Sequence, residues 1–509
     1  MKISEKTLRT LEFDKIREML AEHAMTEGAG GLCRSLMPSD RIEEINARQR
    51  KTADAVRLIG VKGTPSFGEI KDISDACERA LKGATLTPRE LLDVADLLRV
   101  CRRLLDYIRA NRLFETSLDE IFERLIPNKQ LEDKITRAII SEEMIADEAS
   151  PALADIRRKI RVINIKIRDM LQRYTQNNEY SKYLQENIVT MRNGRYVIPV
   201  KVECKGEIKG LVHDTSSSGA TLFIEPVAVV EANNELRELE SKEAHEIERI
   251  LAEMSDDVAA SSPALLLNYR NITELAFIFS CGELSFAMNA SEPKINKERV
   301  IELHRARHPL IAKGKVVPVD ITVGNGYDTV IVTGPNTGGK TVTLKTLGLL
   351  SLMAQAGLQI PADDGSSVCV FDRVLADIGD EQSIEHSLST FSSHMVNIVS
   401  ILDDLTDKTL VLFDELGAGT DPTEGAALAV AIIERVRAAG VICAATTHYA
   451  ELKAYALNTE GVRNASCEFD VETLKPTYKL IIGTPGKSNA FAISEKLGLD
   501  ESIVIRAKI

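Results

Sequence analysis

Gly334-Pro335-Asn336-Thr337-Gly338-Gly339-Lys340-Thr341 sets three glycines, a lysine and a hydroxyl in the order G-x-x-x-x-G-K-T. Glycines at such positions let successive backbone N–H groups close around an anion, and a helix beginning at the lysine adds the positive end of its dipole. Lys340 then reaches the outer oxygens of a polyphosphate, and the Thr341 hydroxyl is placed to hold magnesium. Downstream, the apolar run Thr409 to Phe413 ends in Asp414-Glu415. Asp414 falls beside the metal, while Glu415, one residue on, is placed to polarise an attacking water. A second apolar run, Gly440 to Ala445, ends at Thr446-Thr447-His448, where the histidine is set to meet a γ-phosphate. Each part alone has an ordinary structural explanation, since lone glycine turns, strands ending in acids and strand-end histidines are common. Their order along one chain points to binding and splitting of ATP with Mg2+.

These residues need strands and helices to hold them. Thr329-Val330-Ile331-Val332 reads as a strand before the glycine loop, and Val342 to Met353 as a helix after it, which is the context the motif requires. Thr409 to Phe413 is continuously apolar, as expected of a parallel strand buried on both faces.

At 509 residues the chain has room for several domains. With 44% hydrophobic and 27% charged residues, its composition is that of a protein with packed cores. The start, Met1 to Lys6, lacks the apolar core of a signal peptide, and no run approaches the ~18 apolar residues of a membrane span. The eight cysteines form no C-x-x-C pair, which suggests reduced cytoplasmic thiols and neither zinc nor a disulfide framework. A net charge of −13 argues against a general polyanion binder, so any nucleic-acid contact must be local. No tryptophan and 5% aromatics make a base-stacking platform a poor expectation.

A second informative region lies upstream. Leu153, Ile156, Ile160, Ile163, Ile167, Met170 and Tyr174 alternate at three and four residues, the seam of a coiled coil. A matching helix runs through Val229, Ala232, Leu236, Leu239, Ile247, Ile250 and Met254. Residues 151–175 carry seven basic and two acidic side chains, and 231–253 carry eight acidic and three basic. Arm-to-arm pairing is therefore expected of Arg157, Arg158, Lys159 and Arg161, in preference to a nucleic-acid stripe. Between the arms the period changes to alternation at Arg195 to Val202, Ile208 to His213 and Ala220 to Ile224, a small β-unit with hairpin turns. Arg192, Arg195, Lys201, Lys205 and Lys209 give it a local basic excess suited to a phosphate backbone, or to an ordinary solvated surface. Residues 1–150 read as successive amphipathic helices, among them Leu11 to Leu20, Glu69 to Leu81 and Pro88 to Ile108.

The glycine loop Thr333 to Thr341, the segment Asp414 to Pro422 and Ser389-Thr390-Phe391 together resemble the MutS family. Thr10 to Ile16, Ser216 to Pro226 and Asp377 to Ser383 resemble its second bacterial type, linked to suppression of recombination and to rescue of collided ribosomes. The resemblance covers essentially the whole chain. It implies a multidomain α and α/β protein with a helical core at 1–150, a first lever arm at 151–178 and a β-clamp tip at 179–226. A second lever arm at 227–262, a helical return at 263–295 and an ABC-type P-loop ATPase domain at 296–509 follow. It also implies a homodimer in which Ser389 of one subunit faces the γ-phosphate held by Lys340 of the other, with Gly417 to Asp421 crossing between them. The implied partners are DNA, or a ribosome with its rRNA, and no membrane. Gly486 to Ala490 is similar to a later structural or interface loop of the family.

Two departures qualify this. Mismatch-correcting relatives carry an N-terminal mismatch-reading domain with a Phe-x-Glu wedge; Phe67-Gly68-Glu69 has the letters but lies where no such domain fits. The second bacterial type normally continues into further coiled coil and a small nuclease domain, whose His-Gly-x-Gly-x-Gly signature is not found in this sequence. Endonuclease activity is thus expected of longer relatives and not of this chain. Three rival readings are weighed. Chromosome-structuring ATPases of the SMC and Rad-fifty kind interrupt the stretch between lysine loop and Asp-Glu strand with coils, whereas only 341–413 intervene here. Transporter ATPases carry a Leu-Ser-Gly-Gly signature, from which Ser387-Leu388-Ser389-Thr390 departs. The third rival is a binding module that ATP only switches, with negligible turnover.

Overall fold

The computed structural model describes residues 4–110, 114–334, 339–379, 390–470, 475–486, 491, 494–495 and 498–508. It divides into two compact units, one of residues 1–67, 107–123 and 272–509, the other of 68–106 and 124–271.

In the second unit, helix α1 (Pro151–Gln176) starts where Ser150 accepts the Leu153 N–H and Pro151 presets the first turn. Four antiparallel strands follow: β1 (Thr190–Arg192), β2 (Arg195–Lys201), β3 (Gly210–Thr215) and β4 (Thr221–Pro226), in the order β1-β2-β4-β3. Helix α2 (Val227–Met288) continues from the last strand without a break, so the expected boundary at 262 falls inside one helix. It gives 227–271 to this unit and 272–288 to the other. Ile163, Ile167 and Leu171 of α1 share a core with Ile198, Val200 and Ile224 of the sheet and with Val229, Leu236 and Leu239 of α2.

Two sequence expectations need correction here. Beyond Leu153, the buried positions of α1 run Ile163, Ile167, Leu171 and Thr175, leaving Met170 and Tyr174 half-buried. The distal half packs on the sheet as well as on α2, so the face turns at four-residue steps away from a strict heptad. The charges of α1 are also spent mostly at home. Arg157 reaches Glu243 of α2 at 2.6 Å, but Arg158 and Lys159 pair with Asp155, and Arg161 pairs with Asp147.

The first unit is built on a six-stranded sheet. Its strands are β8 (Thr329–Thr333), β10 (Arg373–Asp377), β11 (Thr409–Phe413), β12 (Ile442–Thr446), β13 (Val462–Asp470) and β14 (Lys475–Ile482), in the order β10-β11-β12-β8-β13-β14. All pairings are parallel except the last. Every residue of β8, β11 and β12 is buried, which accounts for their unbroken apolar spelling. A second sheet joins β5 (Lys294–Asn296), β6 (Ile301–Ala306), β7 (Val319–Val323) and β9 (Ser367–Cys369) in the order β5-β9-β6-β7. Helix α3 (Lys340–Ala356) lies in the core that both sheets share. Phe67 is 1% exposed and packs against Phe279 with ring centroids 5.8 Å apart, so it is a core anchor and no wedge. The eight cysteines are free thiols, and among the described residues no helix is long and apolar enough to cross a membrane.

Candidate active site

Parallel strands place their C-terminal ends on one side of the sheet, where open α/β folds gather ligand-binding groups. Here β8 leads directly into Gly334, β11 into Asp414 and β12 into Thr447-His448. Gly334 takes φ 140° and Gly339 takes φ 90°, the latter closing the loop into α3. Pro335, Asn336, Thr337 and Gly338 lie outside the described residues, as does Ser389.

Lys340 is 2% exposed, and its side chain turns back to Gly334. Its Nζ donates to the Gly334 carbonyl at 2.9 Å and to His448 Nε2 at 2.8 Å. Burial pushes its amine below the ordinary lysine value, against the pull of the Glu415 and Asp414 carboxylates. Burial, and then the Lys340 cation, likewise push His448 below an ordinary imidazole, against the pull of Glu415, and its Nε2 faces the lysine ammonium as acceptor. The Thr341 hydroxyl donates to Asp414 Oδ2 at 2.7 Å, and the Thr446 hydroxyl donates to Asp414 Oδ1 at 2.5 Å. Thr446 Oγ1 in turn accepts the Glu415 N–H at 2.7 Å. Glu415 Oε1 lies 3.6 Å from His448 Nε2, and its side chain is 44% exposed.

Lys340, Thr341, Asp414, Glu415 and His448 thus meet in one network, although up to 108 positions separate them in sequence. Thr341 and Asp414 offer adjacent hydroxyl and carboxylate oxygens, the hard donor set that magnesium takes when phosphate oxygens and waters complete its octahedron. A metal there would neutralise charge on the phosphates.

Glu415 has a left-handed backbone at φ 51°, unusual for a residue with a β-carbon. The turn is enforced from both sides, because Leu416 N–H also bonds to the Thr446 carbonyl, at 3.0 Å. Beyond it Gly417, at φ 84°, approaches helix α5 (Pro422–Ala438) so closely that an added β-carbon would sit 2.4 Å from the Gly425 carbonyl. Asp421 caps α5 by accepting the N–H groups of Thr423 and Glu424. Gly486 N–H bonds to Thr333 Oγ1 at 2.8 Å, which brings the start of that glycine segment beside the end of β8; Lys487 to Ala490 lie outside the described residues.

Three features escape the sequence reading. Thr446 passes there for a plain strand end. Asp377 ends β10 next to Asp414, and its backbone carbonyl accepts the Asp414 N–H at 2.8 Å. Beside Gly339, a cavity of about 220 Å3 is lined by Ala306, His308, Ile311, Val316, Val319 and Val342, with burial pushing His308 down to about 4 and keeping it uncharged. No spacing rule connects residues 306–319 to the glycine loop, so only the folded chain brings them together.

The MutS domain V pattern matches residues 330–509, which include every strand end just described. Endonuclease MutS2 of Acetivibrio thermocellus is 52% identical over 99% of this chain. Over nearly its whole length the chain resembles MutS-family proteins. The proteins of the same name from Clostridium beijerinckii and Clostridioides difficile are each 50% identical over 99% of it. In all three cases the chain spans 64% of the relative's length.

The basic residues of the second unit are less available than their spelling suggests. Arg195 turns inward, and its Nη1 donates to both oxygens of Glu225, at 2.8 and 3.0 Å. Glu225 is fully buried and also meets His213 Nε2 at 2.5 Å and Asn233 Nδ2 at 2.7 Å. A buried carboxylate must be paired, and Arg195 is consumed in pairing it. Arg192 lies 3.4 Å from Asp214, whereas Lys205 and Lys209 are exposed.

Proposed function

We propose that this chain is a Mg-dependent ATPase of the MutS family that works as a homodimer and grips nucleic acid. The convergence of Lys340, Thr341, Asp414, Glu415 and His448 on one network carries the proposal. In this reading the glycine loop and Lys340 hold the phosphates, Thr341 and Asp414 hold the metal, and Glu415 polarises the attacking water. His448 senses the γ-phosphate from the position where it now accepts from Lys340. The cavity beside Gly339 suits the nucleoside end, being concave, mainly apolar and next to the phosphate loop.

Ser389 of one subunit completes the partner's site, and Gly417 to Asp421 cross between the two. Nucleotide state is then transmitted to the second unit, whose α1, α2 and four-stranded sheet act as lever arms and clamp on DNA or on a stalled ribosome with its rRNA. Helix α2, which both units share, is the covalent route for that transmission. Lys205 and Lys209 are the phosphate contacts this reading favours. Endonuclease action, which the relatives' name states of them, has no part in the chemistry assigned to this network.

Steady-state phosphate release separates this reading from an ATP-switched binding module. Release by the parent well above that of Lys340→Ala is expected; release no higher than that background contradicts hydrolysis.

A further inference from the structure

Asp377 is a buried carboxylate one hydrogen bond from Asp414, and the chemistry assigned above does not use it. Its residue is 5% exposed. Both of its oxygens are taken by helix α4 (Thr390–Asp403), which starts directly after Ser389. His394 Nδ1 donates to Oδ2 at 2.9 Å, and Asn397 Nδ2 donates to Oδ1 at 2.8 Å. The two donors are three residues apart, so they project from one face of the helix. Asp377 is therefore turned away from metal ligation and committed to holding α4. Its backbone faces the other way, accepting the Asp414 N–H at 2.8 Å, while β10 runs in register with β11 from Arg373 opposite Thr409 to Asp377 opposite Phe413. The loop after Asp414-Glu415 also passes close to the first turn of α4, since an added β-carbon on Gly419 would lie 3.3 Å from Phe391 Cβ.

We propose that Asp377, His394 and Asn397 form a clip that positions the start of α4 against Asp414 and Glu415. Hydrolysis then depends on the clip, while nucleotide capture by the glycine loop does not. The inference rests on the reading of the site as an ATPase. Asp377 is a positioning residue here, acting through α4 and the β11 end.

An exchange of polarity tests it. In Asp377→Asn the new amide presents an N–H to one of two donors, and in Asn397→Asp two carboxylates face each other. Together, Asn at 377 accepts from His394 and donates to Asp at 397, so both hydrogen bonds return with reversed polarity at one of them. Nucleotide affinity and steady-state phosphate release are measured on the parent, each single variant, the double variant and Lys340→Ala. The expected result is a fall in kcat of about tenfold or more in each single variant, nucleotide affinity within about twofold of the parent, and recovery to within about threefold in the double variant. Single variants that turn over like the parent overturn the proposal. So does a double variant no better than the singles, or nucleotide affinity falling in step with kcat. Parent release no higher than that of Lys340→Ala defeats the ATPase reading itself and the clip with it, a result distinct from the other three.

Discussion

Thr446 shows how much a single hydroxyl can carry. It donates to Asp414 and accepts from Glu415 N–H, so it fixes the Asp414 carboxylate and the left-handed turn that presents Glu415. A non-glycine residue in that region costs about 1–3 kcal/mol and persists only where its surroundings enforce it. Thr446→Val keeps the shape and removes both bonds. Its kcat is expected to fall about 10- to 100-fold, because a hydrogen bond to a charged group contributes about 1.5–3 kcal/mol, with nucleotide affinity nearly intact. Turnover within twofold of the parent would refute this role. Lys340→Ala should instead abolish nucleotide binding, followed by titration with a fluorescent ATP analogue; unchanged affinity would count against the loop assignment. That Lys340, Thr341, Asp414, Glu415 and His448 meet is legible in the sequence because all five side chain types suit one proposed chemistry. The roles of Thr446 and Asp377 are not, since a threonine or aspartate at a strand end acquires its role only through the register of the neighbouring strand.

Elements make their own demands. In α5, Gly425→Ala would gain about 1 kcal/mol of helix propensity in an isolated helix. Here the new β-carbon would meet the Gly417 carbonyl at 2.4 Å and the Tyr449 hydroxyl at 2.6 Å, and backbone cannot yield as a side-chain tip can. Overpacking of that kind costs about 1–3 kcal/mol, so the clash outweighs the propensity and Tm should fall. A rise in Tm would show that the loop is not held against α5. In the second unit, Glu225→Ala leaves the Arg195 guanidinium without its buried partner and should cost that unit about 3 kcal/mol. Hydrogen exchange across 195–236 reads this locally; unaltered protection there would mean the cluster contributes nothing to the joint between sheet and α2. The helices and three of these four strands are legible from periodicity. The short strand β1 escapes because three residues carry no period, and the inward turn of Arg195 escapes because its partner Glu225 lies across the sheet.

For the whole molecule, the composite-site reading makes a prediction about mixtures. Lys340→Ala and Ser389→Ala subunits are each expected to be inactive alone. Mixed, they should regain part of the parent's phosphate release, since a heterodimer pairs one intact lysine with one intact serine across the same boundary. No recovery despite mixed dimers in native mass spectra would exclude shared sites. Glu415→Ala, held in its ATP-bound form, should retain nucleic acid or ribosomal subunits in pull-downs, and the identity of what is retained names the substrate. This scale was the least legible from sequence, because a dimer boundary leaves no period in one chain and its expectation came from family resemblance.

The account stands on one claim: Glu415 activates water on a triphosphate that Lys340 and Thr341 hold. The direct measurement is ATP affinity beside single-turnover hydrolysis for Glu415→Ala. Affinity close to the parent's with hydrolysis slowed about 100-fold or more is the predicted result. Hydrolysis at the parent's rate would contradict it.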